Sequence, residues 1–255
     1  MKFLLPALLA VGAAASARAA EPAPSSLPFG LVIHGGAGVI KREEMSRELE
    51  AQYRAKLAEA LAAGYQVLDR GGRALDAVNA VINILEDSPL FNAGKGAVLN
   101  ADGICELDAS IMDGRTLAAG AVAGLHHIKN PINLARDVMT KSPHVMLTGD
   151  GAEKFAQGLG YELVPNEYFQ TDFRRKQLEK EKAKEKNAGQ KSAAVDAPGT
   201  TFTAADDDYL IRQEKRGTVG CVALDRQGNL AAGTSTGGMT NKKYGRIGDS
   251  PIIGA

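Results

Sequence analysis

The feature that most constrains the fold is an abrupt change of composition near residue 217. Segment 174–208 is rich in lysine, glutamate, serine and alanine, and it is almost free of large apolar side chains. It is followed by an apolar run over 217–224, a turn over 225–229 and a second β-rich run over 230–235. This order predicts a solvated helix, a mobile linker and then a β-hairpin. The chain therefore divides near residue 217 into a long first part and a second part that opens with two paired strands.

The first part alternates between helical and strand-like patterns of apolar residues. Helices are predicted at 43–69, 74–86, 131–140 and 152–157, the third beginning at Pro131, a residue favoured at helix starts. Strands are predicted at 31–33, 97–99, 104–112, 117–124 and 144–147. Hydrophobic residues make up 44% of the chain and charged residues 24%, as in ordinary globular proteins.

Charge and cysteine content exclude some classes of protein. Thirty basic residues balance thirty acidic ones, which argues against a general nucleic-acid binder because such proteins need a basic excess. The absence of C-x-x-C and of histidine clusters from the sequence argues against a zinc site. Cys105 and Cys221 are expected to be buried thiols, with a single disulfide as the alternative.

The N-terminal residues have the order of a secretory signal. Lys2 precedes an apolar run over 3–15, and Ala17-Arg18-Ala19 fits an A-x-A cleavage site. The run is too short to span a bilayer as a helix, although a buried helix or a retained anchor is the alternative. We expect residues 1–20 to be removed and the mature protein to be periplasmic or secreted, with no membrane association afterwards.

One candidate nucleophile is Ser235. Residues 233–237 fit the G-x-S-x-G pattern of serine hydrolases, and the turn 34–36 resembles an esterase oxyanion loop. Such enzymes place an acid and then a histidine after the serine, whereas all 4 histidines of this sequence precede Ser235. This hypothesis needs a histidine from beyond residue 255.

The other candidate nucleophile is Thr218. A threonine hydroxyl needs a base, and no side-chain base is evident nearby in the sequence. Cleavage of the Gly217–Thr218 bond would give Thr218 a free α-amine with a pKa of about 7.7–8.0, which can act as that base. Gly217 lacks a Cβ and can adopt a strained backbone that opens its carbonyl to attack. The plain alternative is that Gly-Thr merely starts a strand, where threonine is common.

Several long motifs, in order from Leu31 to Ala255, decide between these hypotheses. They are LVIHGGAG (31–38), PLFNAGKGAVLN (89–100), ELDASIMDG (106–114), AGAVAG (119–124), GTVGCVALD (217–225), GNLAAGTSTGGMTNK (228–242) and GRIGDSPIIGA (245–255). With them the chain resembles the plant-type asparaginases and isoaspartyl peptidases, which are threonine N-terminal-nucleophile hydrolases. The resemblance implies an α/β fold, a four-layer αββα sandwich of which this chain carries a part.

The resemblance also implies roles for individual residues. The precursor would cut itself between Gly217 and Thr218 into an α part (21–217, with 174–208 as its linker) and a β part that begins at residue 218. The two parts would stay associated in an (αβ)2 dimer. Thr218 would be the nucleophile and, through its α-amine, the base. Thr236 would hydrogen-bond Thr218 and tune it, and Asn92 would lie in a loop that reaches the nucleophile.

Substrate binding is implied for the segment Arg246, Ile247, Gly248 and Asp249. The arginine matches a residue that grips the substrate α-carboxylate, a task suited to a planar bidentate donor. The aspartate matches the residue that holds the α-ammonium, so the substrate would be L-asparagine or a β-aspartyl dipeptide. Taken without the resemblance, the spacing of this arginine and aspartate predicts only an ion pair on the surface.

A structural sodium ion is implied as well, but no catalytic cofactor. Backbone carbonyls would bind the sodium at the positions Leu85, Glu86, Ser88, Phe91, Ala93 and Lys95. The glycine turn after His34 is expected to be structural, since no phosphate-binding pattern follows it.

The family's β part extends well past the length seen here and supplies the oxyanion hole. We therefore expect that the sequence is a piece of a longer chain and that the oxyanion donors lie beyond Ala255. A glycosylasparaginase-type amidase and an inactive truncated remnant remain as alternatives.

Overall fold

The computed structural model describes residues 28–36, 46–192 and 217–255, with side chains up to residue 187 in the second range. In chain order its elements are β1 (Gly30–His34), α1 (Arg47–Asp69), α2 (Ala74–Glu86), β2 (Leu107–Asp113), β3 (Ala119–Leu125), α3 (Pro131–Lys141), β4 (Met146–Thr148), α4 (Gly149–Gly158), a 3-10 turn (Asn166–Tyr168), α5 (Asp172–Ser192), β5 (Val219–Leu224) and β6 (Leu230–Thr236). The predicted signal segment 1–20 lies outside the described residues, as does 193–208 of the predicted linker 174–208, whose first part forms helix α5 as far as Ser192.

The strands form one six-stranded mixed sheet in the order β1-β5-β6-β2-β3-β4. All neighbouring strands are antiparallel except β3 and β4, which are parallel. The hairpin β5–β6 therefore lies inside the sheet, between strands from the first part of the chain. This insertion places the start of β5 beside residues that are more than a hundred positions earlier in the sequence.

Helices α1, α2 and α3 cover one face of the sheet. Helix α2 buries Val78 and Ile82 against this face, and α3 buries Val138. The contact is close: a Cβ on Gly233 would lie 2.8 Å from Val78 Cγ1, and one on Gly120 would lie 2.0 Å from a backbone oxygen of α3. Glycine on the strands thus allows the two helices to approach the sheet backbone.

The opposite face of the sheet is open among the described residues. Val32 and Val222 are register partners on this face and are 73% and 49% exposed. Leu230 is 53% exposed. The α/β class is confirmed, and the described residues supply a helical layer and one sheet of the expected four-layer sandwich. The exposed valines lie on the face against which that sandwich requires a second sheet.

Most predicted elements are confirmed within a few residues. Helix α1 begins later than predicted, at Arg47, because the Ser46 hydroxyl caps it by accepting the Leu49 N–H at 3.1 Å. No helix in the part of the chain that the structure describes is long and apolar enough to cross a membrane.

The predicted strand at 97–99 is wrong. The N–H of Ala97 is bound by the Gly94 carbonyl, and the N–H of Val98 is bound by the side chain of Asn92. These groups are used by a loop, so they are not free to pair with a strand.

The two cysteines are free and buried, so the disulfide alternative is not realised. Burial raises the pKa of each thiol to about 12. A thiol with so high a pKa is a poor nucleophile at neutral pH, and both cysteines are structural.

Candidate active site

The carbonyl oxygen of Gly217, just before β5, is the centre of the candidate site. Asn92 Nδ2 donates a hydrogen bond to it at 2.8 Å, and the Thr236 hydroxyl donates a second at 3.0 Å. Thr218 Oγ1 lies 2.8 Å from the same oxygen. A Cβ on Gly217 would come within 2.9 Å of the Asn92 Cβ, so this close approach requires glycine. One amide and two hydroxyl groups thus lie within hydrogen-bond distance of one peptide carbonyl oxygen.

The hydroxyls of Thr218 and Thr236 form a relay beside this carbonyl. Their Oγ1 atoms are 3.1 Å apart, and the single Thr218 hydroxyl proton can go either to Thr236 or to the Gly217 oxygen. Thr236 also accepts the N–H of Gly238 at 2.9 Å. Because its own proton goes to the Gly217 carbonyl, Thr236 accepts from Thr218 and donates to the carbonyl that Thr218 adjoins. This polarity favours removal of the Thr218 proton as charge develops on the carbonyl oxygen.

Asn92 is held rigidly in the loop after α2. It is 3% exposed, and its Oδ1 accepts the Val98 N–H at 2.9 Å. Its Nδ2 donates to Gly217 and also to the Gly238 carbonyl at 2.8 Å. The backbone donor fixes which amide atom is the oxygen, so the NH2 group must face the two carbonyls.

The glycine turn after β1 packs against the same peptide. A Cβ on Gly36 would lie 3.7 Å from the Gly217 Cα. A Cβ on Gly35 would lie 2.6 Å from the Phe91 ring. His34 packs on Gly220 of β5, and burial lowers its pKa. As predicted, the described part of this turn, residues 34–36, is a packing element.

The predicted substrate segment lies at the edge of the site. Arg246 and Asp249 are exposed and do not pair with each other or with another charged group in the described ranges. The Arg246 guanidinium folds over Gly248, where a Cβ would lie 2.7 Å from Nη1. Both charged groups are thus available to an incoming molecule, and the predicted surface ion pair between them is not formed.

Ser250 anchors this segment on the sheet. Its carbonyl accepts hydrogen bonds from Ser110 Oγ and Thr234 Oγ1, each at 2.7 Å. Its hydroxyl lies 3.4 Å from Thr218 Oγ1. The sequence analysis overlooked Ser250, although its place directly after Asp249 was a usable signal. The alternation of Thr234 and Thr236 along β6 also indicated one polar face.

Comparison with known proteins identifies the family of this chain. The sequence profile described as asparaginase matches residues 27–255. The chain belongs to the asparaginase family. The isoaspartyl peptidase of Escherichia coli (strain K12) is 48% identical over 225 residues, which are 88% of this chain and 66% of that protein. The isoaspartyl peptidase/L-asparaginase of Mus musculus is 46% identical over 248 residues, 95% of this chain and 68% of that protein. The chain thus spans about two thirds of the length of the curated relatives it matches.

The structure brings together the residues that the asparaginase resemblance named for catalysis. Side-chain atoms of Asn92, Thr218 and Thr236 lie within 3.0 Å of the Gly217 oxygen, although these residues come from a loop, from the position before β5 and from the end of β6. Arg246 and Asp249 do not contact this group directly. They are linked to it through Ser250, which follows them in the chain and adjoins Thr218.

The loop implied for sodium closes back on the end of α2. The N–H of Lys95 donates to the Glu86 carbonyl at 2.7 Å, and a Cβ on Gly94 would lie 2.5 Å from that oxygen. Lys95 Nζ lies 5.6 Å from the centre of the Tyr168 ring. Backbone oxygens suit a hard cation, but two of the implied carbonyls, those of Leu85 and Glu86, already accept the N–H groups of Ser88 and Lys95.

The carboxyl of Glu86 is a separate feature of this loop. It is fully buried, and burial raises its pKa to about 8 although its Oε1 accepts the Ile132 N–H at 3.0 Å. The group is therefore largely protonated at neutral pH. Its neutral form adds no negative charge to the loop.

Ser235 lies on the helix-covered face of the sheet. Its side chain is fully buried next to Glu86, and strand alternation directs it away from Thr218 and Thr236. In the part of the chain that the structure describes, which includes all 4 histidines, none is hydrogen-bonded to it. The G-x-S-x-G match therefore does not mark a nucleophile.

Proposed function

We propose that this protein, at its natural length, is a self-cleaving threonine hydrolase acting on L-asparagine and β-aspartyl dipeptides. The observation that carries the proposal is the Gly217 carbonyl, held by Asn92 and Thr236 beside the Thr218 hydroxyl. The names of the relatives, isoaspartyl peptidase and L-asparaginase, supply the substrate classes.

Self-cleavage begins with attack of Thr218 Oγ1 on the Gly217 carbonyl carbon. The hydroxyl proton passes to Thr236 while Thr236 passes its own proton to the Gly217 oxygen, to which the Asn92 amide also donates. As the tetrahedral intermediate collapses, that proton moves from the oxygen to the nitrogen, the C–N bond breaks, the nitrogen becomes the α-amine, and an ester joins Gly217 to Thr218. Water then hydrolyses the ester, which leaves a Gly217 carboxylate and a free threonine N-terminus.

The same hydroxyl then acts on substrate. The α-amine of Thr218 takes the proton from Oγ1, which attacks the side-chain carbonyl of asparagine or of a β-aspartyl peptide. Ammonia or an amino acid leaves, and water hydrolyses the aspartyl ester. Both base and nucleophile belong to one residue, so the reaction requires no catalytic cofactor.

Substrate selection follows from the charges of the segment beside Ser250. Arg246 offers a planar pair of donors to an α-carboxylate, and Asp249 offers an acceptor to an α-ammonium. Ile247 and Gly248 set the spacing between these groups. This pattern favours molecules with a free amino-acid end.

The remaining proposals concern ion, assembly and location. The backbone carbonyls of the loop that follows α2 would hold a structural sodium ion. The two parts of the cleaved chain would stay together because β5 and β6 lie inside the sheet, and two such units would form an (αβ)2 dimer. The signal-like order of residues 1–20 supports export to the periplasm or the medium.

The test is to produce the natural-length protein and follow it by denaturing gel and mass spectrometry. The expected result is two fragments, the second beginning at Thr218, with Thr218→Ala remaining one chain. Release of ammonia from asparagine and of amino acids from β-aspartyl dipeptides is then measured on the cleaved protein. A wild-type protein that stays intact yet hydrolyses asparagine would refute self-cleavage as the activating step.

A further inference from the structure

The turn 237–242 after β6 touches the candidate site through its backbone. The N–H of Gly238 donates to the Thr236 hydroxyl at 2.9 Å, and the Gly238 carbonyl accepts from Asn92 at 2.8 Å. Gly238 has a φ of +80°, a conformation that side chains disfavour. The position of this one peptide segment therefore decides where both donors to the Gly217 carbonyl point.

The side chain of Lys242 packs against this glycine. A Cβ on Gly238 would lie 3.1 Å from Lys242 Nζ and 3.2 Å from its Cδ. The Lys242 side chain is only 2% exposed. Its backbone is held too, because its carbonyl accepts the Ala101 N–H at 2.9 Å and its N–H donates to Met239 at 3.2 Å. Lys242 is thus buried, and it supports the turn by packing against Gly238.

Two carboxyl groups from the start of β2 flank the buried ammonium. Lys242 Nζ donates to the Glu106 carbonyl at 3.0 Å and lies 3.5 Å from the Glu106 carboxylate. Asp108 is 1% exposed, and its Oδ1 accepts the Gly124 N–H at 2.8 Å. Burial raises the pKa of Asp108, and the charge of Lys242 opposes that rise. Without the ammonium, the Glu106 carboxylate would keep only His126, whose Nε2 lies 3.8 Å from it, and Asp108 would lose a cation that favours its charged form.

The Lys242 ammonium and its carboxyl neighbours lie beside the candidate site. Asp108 is the register partner of Thr236 across β2 and β6. The lysine thus links the strand beside the relay to the turn that orients Asn92. Methionine could fill this space with a similar apolar stem, but it could not donate a hydrogen bond to the Glu106 carbonyl. That hydrogen bond ties the turn to the start of β2.

We propose that Lys242 is a positioning residue for self-cleavage, holding Gly238 so that Asn92 and Thr236 both point at the Gly217 carbonyl. The proposal rests on the self-cleavage function proposed above. Lys242 touches neither the scissile bond nor the nucleophile. It acts by holding the turn in place, which sets the positions of Asn92 and Thr236.

The experiment compares the first-order rate of precursor cleavage in the wild type with the rate in Lys242→Met. The natural-length protein is produced as precursor, and cleavage is timed by gel and mass spectrometry. We expect Lys242→Met to slow cleavage by about 10- to 100-fold, because small misplacements of catalytic groups cost that much. Adding Glu106→Gln to Lys242→Met removes the carboxylate that has lost its lysine partner, so thermal stability should recover, but the hydrogen bond from the lysine is still missing and cleavage should stay slow.

Val138→Ala, in the core of α3, provides a control that loses stability far from the turn. It should lower the thermal midpoint yet leave the cleavage rate near that of the wild type. The inference is overturned if Lys242→Met cleaves as fast as the wild type, if the double variant recovers the rate together with stability, or if Val138→Ala slows equally. A wild type that never cleaves overturns the proposed function and this inference together.

Discussion

Asn92 offers the sharpest test of the site, because its side chain joins three backbone segments. Asn92→Ala removes hydrogen bonds to the carbonyls of Gly217 and Gly238 and one from the Val98 N–H. The Val98 N–H and the Gly238 carbonyl would be left buried without these partners. At about 1–3 kcal/mol for each of these two groups, the free energy of unfolding should fall by about 2–6 kcal/mol.

The effect on self-cleavage should be larger than stability alone explains. Asn92 is the amide donor among the groups bonded to the Gly217 oxygen, and loss of such a donor slows acyl transfer by about 100- to 1,000-fold. Asn92→Asp keeps the size and the acceptor for Val98, but it puts an oxygen against two carbonyls in place of a donor. We expect it to cleave as slowly as Asn92→Ala.

Asn100→Ala is the matched control in the neighbouring turn. Asn100 is 4% exposed, and its Oδ1 accepts the N–H groups of Asp102 and Ile104. It does not contact Gly217, so its replacement should lower stability without slowing cleavage. The assay is the rate of precursor conversion, set beside urea unfolding of each variant made with Thr218→Ala to block conversion. Equal slowing in Asn92→Ala and Asn100→Ala would refute the role given to Asn92.

Three further predictions address the relay, the second candidate nucleophile and the buried acid. Thr236→Val should slow self-cleavage by about 100-fold because it removes a donor to the Gly217 carbonyl, whereas Thr236→Ser should retain most of the rate. Equal cleavage rates of these two variants on the gel would contradict the relay. Ser235→Ala should leave the release of ammonia from asparagine intact, and its loss would revive the serine hypothesis. The Glu86 carboxyl, with a pKa raised by burial from 4.5 to about 8, stabilises the fold most below pH 4.5, and this contribution is lost as pH rises through about 8. Glu86→Gln should therefore flatten the decline of the thermal midpoint over that range, where each pKa unit is worth about 1.4 kcal/mol, and an unchanged slope would count against a neutral Glu86.

Local residue patterns predicted many of the helices and strands. The bounds of α2 were predicted as 74–86 and are found there, because its apolar spacing and the glycine pair before it act within a few residues. The prediction of a strand at 97–99 failed for a complementary reason. Those residues have strand-like side chains, but their N–H groups are taken by Asn92 and Gly94, and no local pattern reveals that.

The features of the candidate site also separate into those that local sequence predicts and those that it does not. The sequence by itself determined the Gly217–Thr218 pair, the hairpin that follows it and the alternation that puts Thr234 and Thr236 on one face. These depend on residue type and on a period of two along a strand, which are local properties.

Only the tertiary structure decided that Asn92, 125 residues before Gly217, donates to the Gly217 carbonyl, that Ser250 adjoins the nucleophile and that Lys242 is buried under Gly238. The order of strands inserts β5 and β6 between β1 and β2, and that long-range pairing fixes which loops meet at the start of β5. Strand order depends on contacts between distant segments. It cannot be deduced from the periodicity of any one of them.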